Sequence, residues 1–322
     1  MKKVFLLAFV FFINQIHAQI SGCTDPLSKN FNPSATINDG SCVYRSAKVK
    51  LKYSKQLAAV LHETSGLVLS DTLLWTTNDD KDTTIYGIDT LGVIQKKIAL
   101  KNVSNKDWEE ITQDSSYFYI GDFGNNVSGN RKDLHILRVE KKSIEGNTPK
   151  IDTISFYYSD QNNFNKLKSN TTNFDCEAFV VLDDSIYLFT KQWKQKRTAV
   201  YVIPKTPGNY SAQLKDTFNV KGLITSATIV PDKNLLVLSG YSTLLSPFAY
   251  LFYDYDHSNF FAANKRKIKI ALPFHQIEGI TTKNGLQYYL TNENFTRKPF
   301  LAIPQQLHQL DLSPFLSHYL QR

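Results

Sequence analysis

The sequence predicts an all-β chain: a β-propeller of five blades, with six as the alternative, preceded by a short disulfide-stapled segment. Three observations predict it. A strand–turn–strand outline recurs at Ser65, Glu109, Glu177, Ser226 and Glu278, at intervals of 44, 68, 49 and 52 residues, which is blade spacing and not the period of helical repeats. Aromatic residues make up 13% of a 322-residue chain that has one Met, a composition suited to sheets. Long amphipathic patterns of helical period are absent.

The outline is clearest in Asp107-Trp108-Glu109-Glu110-Ile111-Thr112-Gln113-Asp114, where an acid opens a short strand. Asp114-Ser115-Ser116 then turns the chain, and an aromatic run ends at Gly121-Asp122. Glu177 to Val181 before Ile186 to Lys191, and Glu278 to Thr281 before Leu286 to Asn292, repeat it. Two variants, at Ser65 and Ser226, put serine at the acidic position.

From the start of the chain, residues 1–18 read as a signal peptide. Lys2 and Lys3 precede the apolar run Val4 to Ile13, and Ala18 supplies a small residue for cleavage. That run is too short to span a membrane, and no later stretch is long enough. Export to the periplasm or the medium is expected, and lipid attachment at Cys23 of Ile20-Ser21-Gly22-Cys23 is the alternative. Residues 19–45 form a segment too short for its own core, so a Cys23–Cys42 bond is expected as its main staple. Asn38-Asp39-Gly40-Ser41 reads as turn chemistry in preference to a calcium loop. Cys176 is left as a buried free thiol.

Residues 46–322 are expected to form the propeller domain. The first blade takes Gly66 to Leu69, Leu73 to Asn78, Thr84 to Asp89 and Val93 to Leu100. The second takes Glu110 to Gln113, Tyr117 to Asp122, Leu134 to Val139 and Asp152 to Tyr158, with polar Asn162 to Asn173 as a loop. Ala178 to Leu182, Ser185 to Thr190, Ala199 to Ile203 and Leu214 to Val220 make the third. The fourth uses Ala227 to Val230, Leu235 to Ser239, Ala249 to Tyr253 and Lys267 to Leu272. The fifth has Gly279 to Thr282, Gln287 to Thr291 and Pro299 to Ile303, and Lys48 to Tyr53 from the N-terminus is expected to complete the ring and cover an exposed edge. An incomplete sixth blade over Leu307 to Leu320 is the alternative.

Successive strands of a blade run antiparallel, so the start of each inner strand and the end of the next strand share one face. Glu109, Glu177 and Glu278 open inner strands, and Glu63 lies two residues before Ser65, on the same side of its strand; these four are the candidate metal ligands. Asn78, Asp79, Asp122, Lys191, Asn292 and Glu293 end second strands, and of these Asp79, Asp122, Lys191 and Asn292 are the candidate ligand-binding residues. Crowded acids need a cation, a basic partner or protonation. Calcium, taking carboxylate, amide and carbonyl oxygens, is the expected cofactor; zinc is disfavoured because no histidine has ligand spacing. The competing assignment has the glutamates bonding backbone amides of neighbouring blades, with Lys191 neutralising one of them. His62 and His275 are the candidate general bases. Asp122-Phe123-Gly124-Asn125-Asn126 is a turn, or a rim contact beside Glu109.

Asp107-Trp108-Glu109-Glu110-Ile111, Tyr119 to Asn126, Asp175-Cys176-Glu177-Ala178, Thr190-Lys191 and Glu278-Gly279-Ile280 resemble a largely uncharacterised family of exported bacterial β-propellers. The likeness covers nearly everything after residue 55, and is similar more distantly to the SdiA-regulated and phytase-like or esterase-like propellers. Gly22-Cys23-Thr24-Asp25-Pro26 through Cys42 resembles a cysteine-bounded motif of Bacteroidetes-type secreted proteins. In related calcium-dependent hydrolases, rim acids and amides hold a catalytic ion; here Ser65 and Ser226 interrupt such a ring.

The formal net charge is +8, and loss of Lys2 and Lys3 leaves +6. Outside the cell that basic surface suits an acidic glycan or envelope ligand and not nucleic acid. No nucleophile elbow, phosphate loop or paired-histidine metal motif is present. The leading expectation is a monomeric exported propeller binding a small-molecule or envelope ligand at an acidic rim with calcium. The alternatives are a calcium-dependent hydrolase of a lactone, ester or phosphoester, and a structural envelope protein.

Overall fold

A computed structural model describes residues 19–146 and 148–321; the signal-peptide reading of residues 1–18 lies outside the described residues. The protein is all-β. Five antiparallel four-stranded units follow one another among the described residues, each given from its inner strand outward. The first is Thr64–Ser70, Leu73–Asn78, Thr84–Ile88 and Ile94–Ala99; the second is Trp108–Gln113, Tyr117–Asp122, His135–Glu140 and Ile151–Tyr158. Cys176–Leu182, Ser185–Thr190, Thr198–Pro204 and Gly208–Phe218 build the third, and Leu223–Val230, Leu235–Tyr241, Pro247–Tyr253 and Asn264–Ile270 the fourth. A parallel pairing of Ile151–Tyr158 with Gly208–Phe218 joins the second and third into one eight-stranded sheet.

Burial explains why these segments form strands. Leu235–Tyr241 is buried at every position, as a strand with sheets on both faces must be. The outer strand Ile94–Ala99, which holds Lys96 and Lys97, is largely exposed. Short hairpins turn at Asp71 and Asp183, whose φ angles of 53° and 52° lie in the left-handed region that Asp tolerates.

The fifth sheet departs from expectation. Its strands are Ile277–Thr282, Gln287–Asn292, Gln306–Asp311 and the N-terminal Leu51–Gln56. Pro299 to Ile303 is not its third strand: Leu301–Ile303 pairs with Phe295–Arg297 in a separate hairpin. Gln306–Asp311 holds that place because His308, polar in the sequence, is fully satisfied there. Its Nε2 meets Asn292 Oδ1 at 2.7 Å and its Nδ1 meets Ser54 Oγ at 2.8 Å. Burial, aided by His275, pushes the His308 pKa down to about 3, so the ring stays neutral. The residues assigned to a sixth blade are divided, with Gln306–Asp311 in the fifth sheet and Ser313–Leu320 forming a helix. The expected closing strand is displaced by a few residues: Leu51–Gln56 closes the fifth sheet, while Ala47–Val49 runs parallel to Asn264–Ile270 of the fourth.

Each sheet packs its face on the next. Trp75 and Phe118 meet between the first and second, and Phe123, Phe156 and Phe179 between the second and third. Phe189 and Phe252 both pack on Phe261 between the third and fourth, and Val237 and Leu290 share the cluster between the fourth and fifth. Leu67, Leu74, Tyr289 and Leu307 bring the fifth sheet against the first. The five inner strands are therefore neighbours in cyclic order.

The Cys23–Cys42 disulfide is present, and Cys176 is a buried free thiol. Oxygens of Asp25, Asn32, Asn38 and Asp39 accept backbone N–H groups two residues on, so the N-terminal segment uses them for turns. Asp25 and Tyr44 also bond Tyr253 of the fourth sheet, docking the segment there. With its sulfur in the disulfide, Cys23 offers no thiol for lipid. Among the described residues, no helix is long and apolar enough to cross a membrane.

One side chain ties the inner strands together. Glu110 is fully buried; its Oε1 accepts Leu67 N at 3.2 Å and Ile111 N at 3.0 Å, and its Oε2 accepts Ala227 N at 3.0 Å and the Ser226 hydroxyl. Ser226 Oγ in turn accepts Ile280 N at 3.0 Å. One carboxyl thus reaches the first, second, fourth and, by relay, fifth inner strands. Burial pushes the Glu110 pKa well up, and the four donors pull the other way. Gly66 makes room for it: at φ 69°, a Cβ there would lie 2.6 Å from Glu110 Oε1. Glu110→Gln sets an amide N–H against backbone N–H groups, and is expected to lower unfolding free energy by about 2 kcal/mol. A urea melt of the two proteins measures it, and Glu109→Gln should cost less.

Candidate functional site

A β-bulge occurs where each inner strand begins. In the second sheet Glu110 pairs with Gly121 and Trp108 with Asp122, so Glu109 has no partner across the ladder. Glu177 and Glu278 are skipped in the same way in the third and fifth sheets, and Thr225 in the fourth. A bulge leaves the extra residue unpaired and re-aims its side chain. These bulges turn Glu109, Glu177 and Glu278 toward one shared mouth, also lined by Asp79, Lys191 and Glu293.

The bulges also correct the alignment of the repeats. Thr225, not Ser226, is the counterpart of Glu109, while Ser226 stands level with Glu110 and bonds it. A shift of one residue moves a strand side chain to the opposite direction, so Ser226 does not interrupt an acidic ring at the mouth. It belongs to the layer below. In the first sheet Gly66 and Leu67 are the skipped residues, and Ser65 Oγ donates to Glu109 O at 2.7 Å.

Lys191 sits among these acids. Its Nζ is 3.0 Å from Glu177 Oε2 and lies 4.7 Å from the Trp193 ring centre and 5.5 Å from that of Tyr241. The pair is buried, with side chains 5% and 2% exposed. Burial pulls the Lys191 pKa down, but Glu177, Tyr241, Glu278 and Glu109 outweigh it and hold the ammonium charged. Burial pushes Glu109, Glu177 and Glu278 well above the usual carboxylate range. Repulsion adds to this: Glu177 raises Glu109, while Asp175 raises Glu177 against the pull of Lys191. The short contact with Lys191 offsets part of the burial at Glu177, which sets it apart from Glu109 and Glu278.

Two groups of acids have oxygens within 4.8 Å of one another. Glu109, Asp175 and Glu177 form the buried group; Glu63, Asp79 and Glu293 form the second, which is partly exposed. Asp175, not singled out from sequence as a site residue, accepts Asn125 N and Trp193 Nε1, both at 2.6 Å. Gly124 lies so close to Asp107 and Glu109 that a side chain there would overlap both carboxyls. The 122–126 loop is therefore both a turn and a rim contact, with Asn126 lining the mouth. In the second group, burial, then Glu63 and Glu293, push Asp79 up to about 8, and burial, then Glu63, push Glu293 up to about 7.

Other candidate residues lie elsewhere. Asp122 is fully buried and spent on Arg131, whose Nη2 is 2.7 Å from its Oδ1, and on Lys106 N. Asn292 donates to Glu293 O and Pro304 O and accepts from His308. Neither Asp122 nor Asn292 lines the mouth. His62 is exposed, and His275 is held by Pro273 O at 2.8 Å beside His308; neither ring lines the mouth. Glu293 lines the mouth from the end of a second strand, where the sequence places it, whereas Asp175 had a signal only in its place beside Glu177.

The raised acids give a pH dependence of defined sign. Asp79 and Glu293 bind more protons in the folded chain than in the unfolded one, where carboxyls titrate near about 4. Their stabilisation is complete below that pH and is lost as pH rises through their folded values of about 7 and about 8. In the absence of divalent ions, stability is expected to fall across this window, and Asp79→Asn should flatten the slope. Denaturant melts at a series of pH values check both outcomes. Lys191→Met strands Glu177 and should cost about 3–5 kcal/mol at neutral pH in the same assay.

No family model and no curated protein matches the chain. Among solved structures, the crystal structure of the computationally designed Ika4 protein covers 65% of this chain and 99% of its own, at 11% identity and a TM-score of 0.29, too low a similarity to bear on fold or function.

Proposed function

We propose that the protein is an exported five-bladed β-propeller that binds a ligand at the acidic mouth of its central channel, together with calcium. One observation carries the reading: five carboxyl side chains and a single ammonium line that mouth. Such an excess of buried acid calls for a further cation. The buried group already has Lys191. The Glu63, Asp79 and Glu293 group is partly exposed, makes no ion pair among the described residues, and offers only oxygen ligands, the donor set calcium prefers. With the ion in place, the amides of Asn126 and Asn170 and the ring of Trp193 are left for an oxygen-rich small molecule or an envelope glycan.

The propeller reading is supported by the five cyclically packed meanders and by the N-terminal strand that completes the last of them. The resemblance to exported bacterial propellers, and more distantly to the SdiA-regulated and esterase-like groups, points the same way. Export is supported by the disulfide, which suits an oxidising compartment.

A calcium-dependent hydrolase is the second reading, and Glu278 favours it. It lines the mouth outside both acid groups, and burial holds its carboxyl well above the usual range, which suits it to carry a proton beside a bound ion, a role the histidines are not placed to fill.

The test is calcium titration of chelator-treated protein, followed by thermal unfolding and calorimetry. Stoichiometric binding is expected, with stabilisation of about 2.7 kcal/mol at a hundredfold excess over the dissociation constant. Replacing Glu63, Asp79 and Glu293 by their amides should abolish it. Calcium binding that survives this triple change would sink the assignment, and no binding at all would favour the structural-protein alternative. Turnover of a lactone or ester panel, lost with the ion, would select the hydrolase.

A further inference from the structure

We propose that the groove formed by the third sheet and the segment that leads into it from the second is a second binding site, separate from the mouth, for a neutral sugar ring. Asp160, Asn173, Phe174, Gln192, Arg197 and Tyr201 line it. Two of these carry an unmet need. Gln192 Oε1 and Asn173 Oδ1 are both buried and without a hydrogen-bond partner, and Gln192 is only 7% exposed. A buried acceptor left unpaired costs about 1–3 kcal/mol, so two in one groove call for a ligand that donates.

The remaining lining narrows the class. Arg197 gives one Nη2 contact to Thr217 Oγ1 at 2.7 Å, and its other N–H groups can serve acceptors in the groove. Asp160 receives the Tyr201 hydroxyl at 3.1 and 3.2 Å and retains acceptor capacity. One Asp against one Arg leaves the groove without a dominant charge, which disfavours acidic or cationic ligands. Phe174, Tyr201 and Leu214 add apolar surface. Alternating donors and acceptors beside an apolar wall match the hydroxyls and C–H face of a pyranose.

The turn over residues 191–197 separates the two sites. Lys191 and Trp193 face the mouth, whereas Gln192 and Arg197 face the groove, and backbone bonding of Gln192 N to Arg197 O at 3.2 Å fixes this alternation. Side chains can thus be removed from the groove without touching the mouth.

The experiment is saturation-transfer NMR on the chain without its leader, using the methyl pyranosides of glucose, galactose, mannose and N-acetylglucosamine. At least one should bind saturably. Its affinity should fall about tenfold in Gln192→Leu and in Arg197→Ala, the loss expected for one well-made hydrogen bond, and remain unchanged in Glu109→Gln. Gln192→Leu removes an orphaned acceptor, so its unfolding midpoint should hold or rise; Asn173→Leu is the second variant should that fold fail. The proposal is overturned if none of the four sugars binds, or if binding persists undiminished in the groove variants.

Discussion

The carboxyl of Glu110 is the constraint on which the inner architecture depends. Sheets packed face to face around an axis leave backbone groups of their inner strands pointing where no ladder partner exists. A buried N–H without an acceptor is costly. Glu110 supplies acceptors to three strands, and Ser226 extends the connection to a fourth. The competing assignment for the glutamates, bonding to neighbouring backbone amides, therefore applies to the residue beside Glu109. Adjacent glutamates on one strand have opposite duties because successive side chains point apart.

Above that layer, the bulges are what convert a structural axis into a chemical one. Without them Glu109, Glu177 and Glu278 would sit in regular register with the second strands. With them, three acids distant in sequence share a mouth with Lys191. The mouth then meets its charge in two ways. Glu177 takes an internal ammonium, whereas Asp79 and Glu293 remain strained by one another at the opening. An ion pair already satisfied has little to gain from a ligand; a repulsive pair at the surface has much more.

The inner and second strands are legible in the sequence because each is an apolar run opened by a polar residue and followed by a turn. Leu73–Asn78, Tyr117–Asp122 and Ser185–Thr190 fall where the pattern places them. The fifth sheet is not legible in full. Leu301–Ile303 has strand composition and does form a strand, but in a local hairpin, while polar Gln306–Asp311 enters the sheet through bonds that only the fold supplies. Ser226 is displaced by one position because a bulge adds a residue without changing the apolar pattern around it. At the site, Glu109, Glu177 and Glu278 follow from the repeat, but Asp122 and Asn292 do not. Their partners, Arg131 and His308, are far from the repeated motif and give no signal of their own.

Closure of the fifth sheet by Leu51–Gln56 has a consequence for how the chain is made. Gln56 pairs with Gln306, so the seam cannot form until the chain through residue 306 has emerged. Nascent meanders can assemble locally, but the first and last remain unjoined, and a contact so distant in sequence is slow to find. The joint between the first and last sheets is therefore a late event, whatever the order in which the sheets between them form.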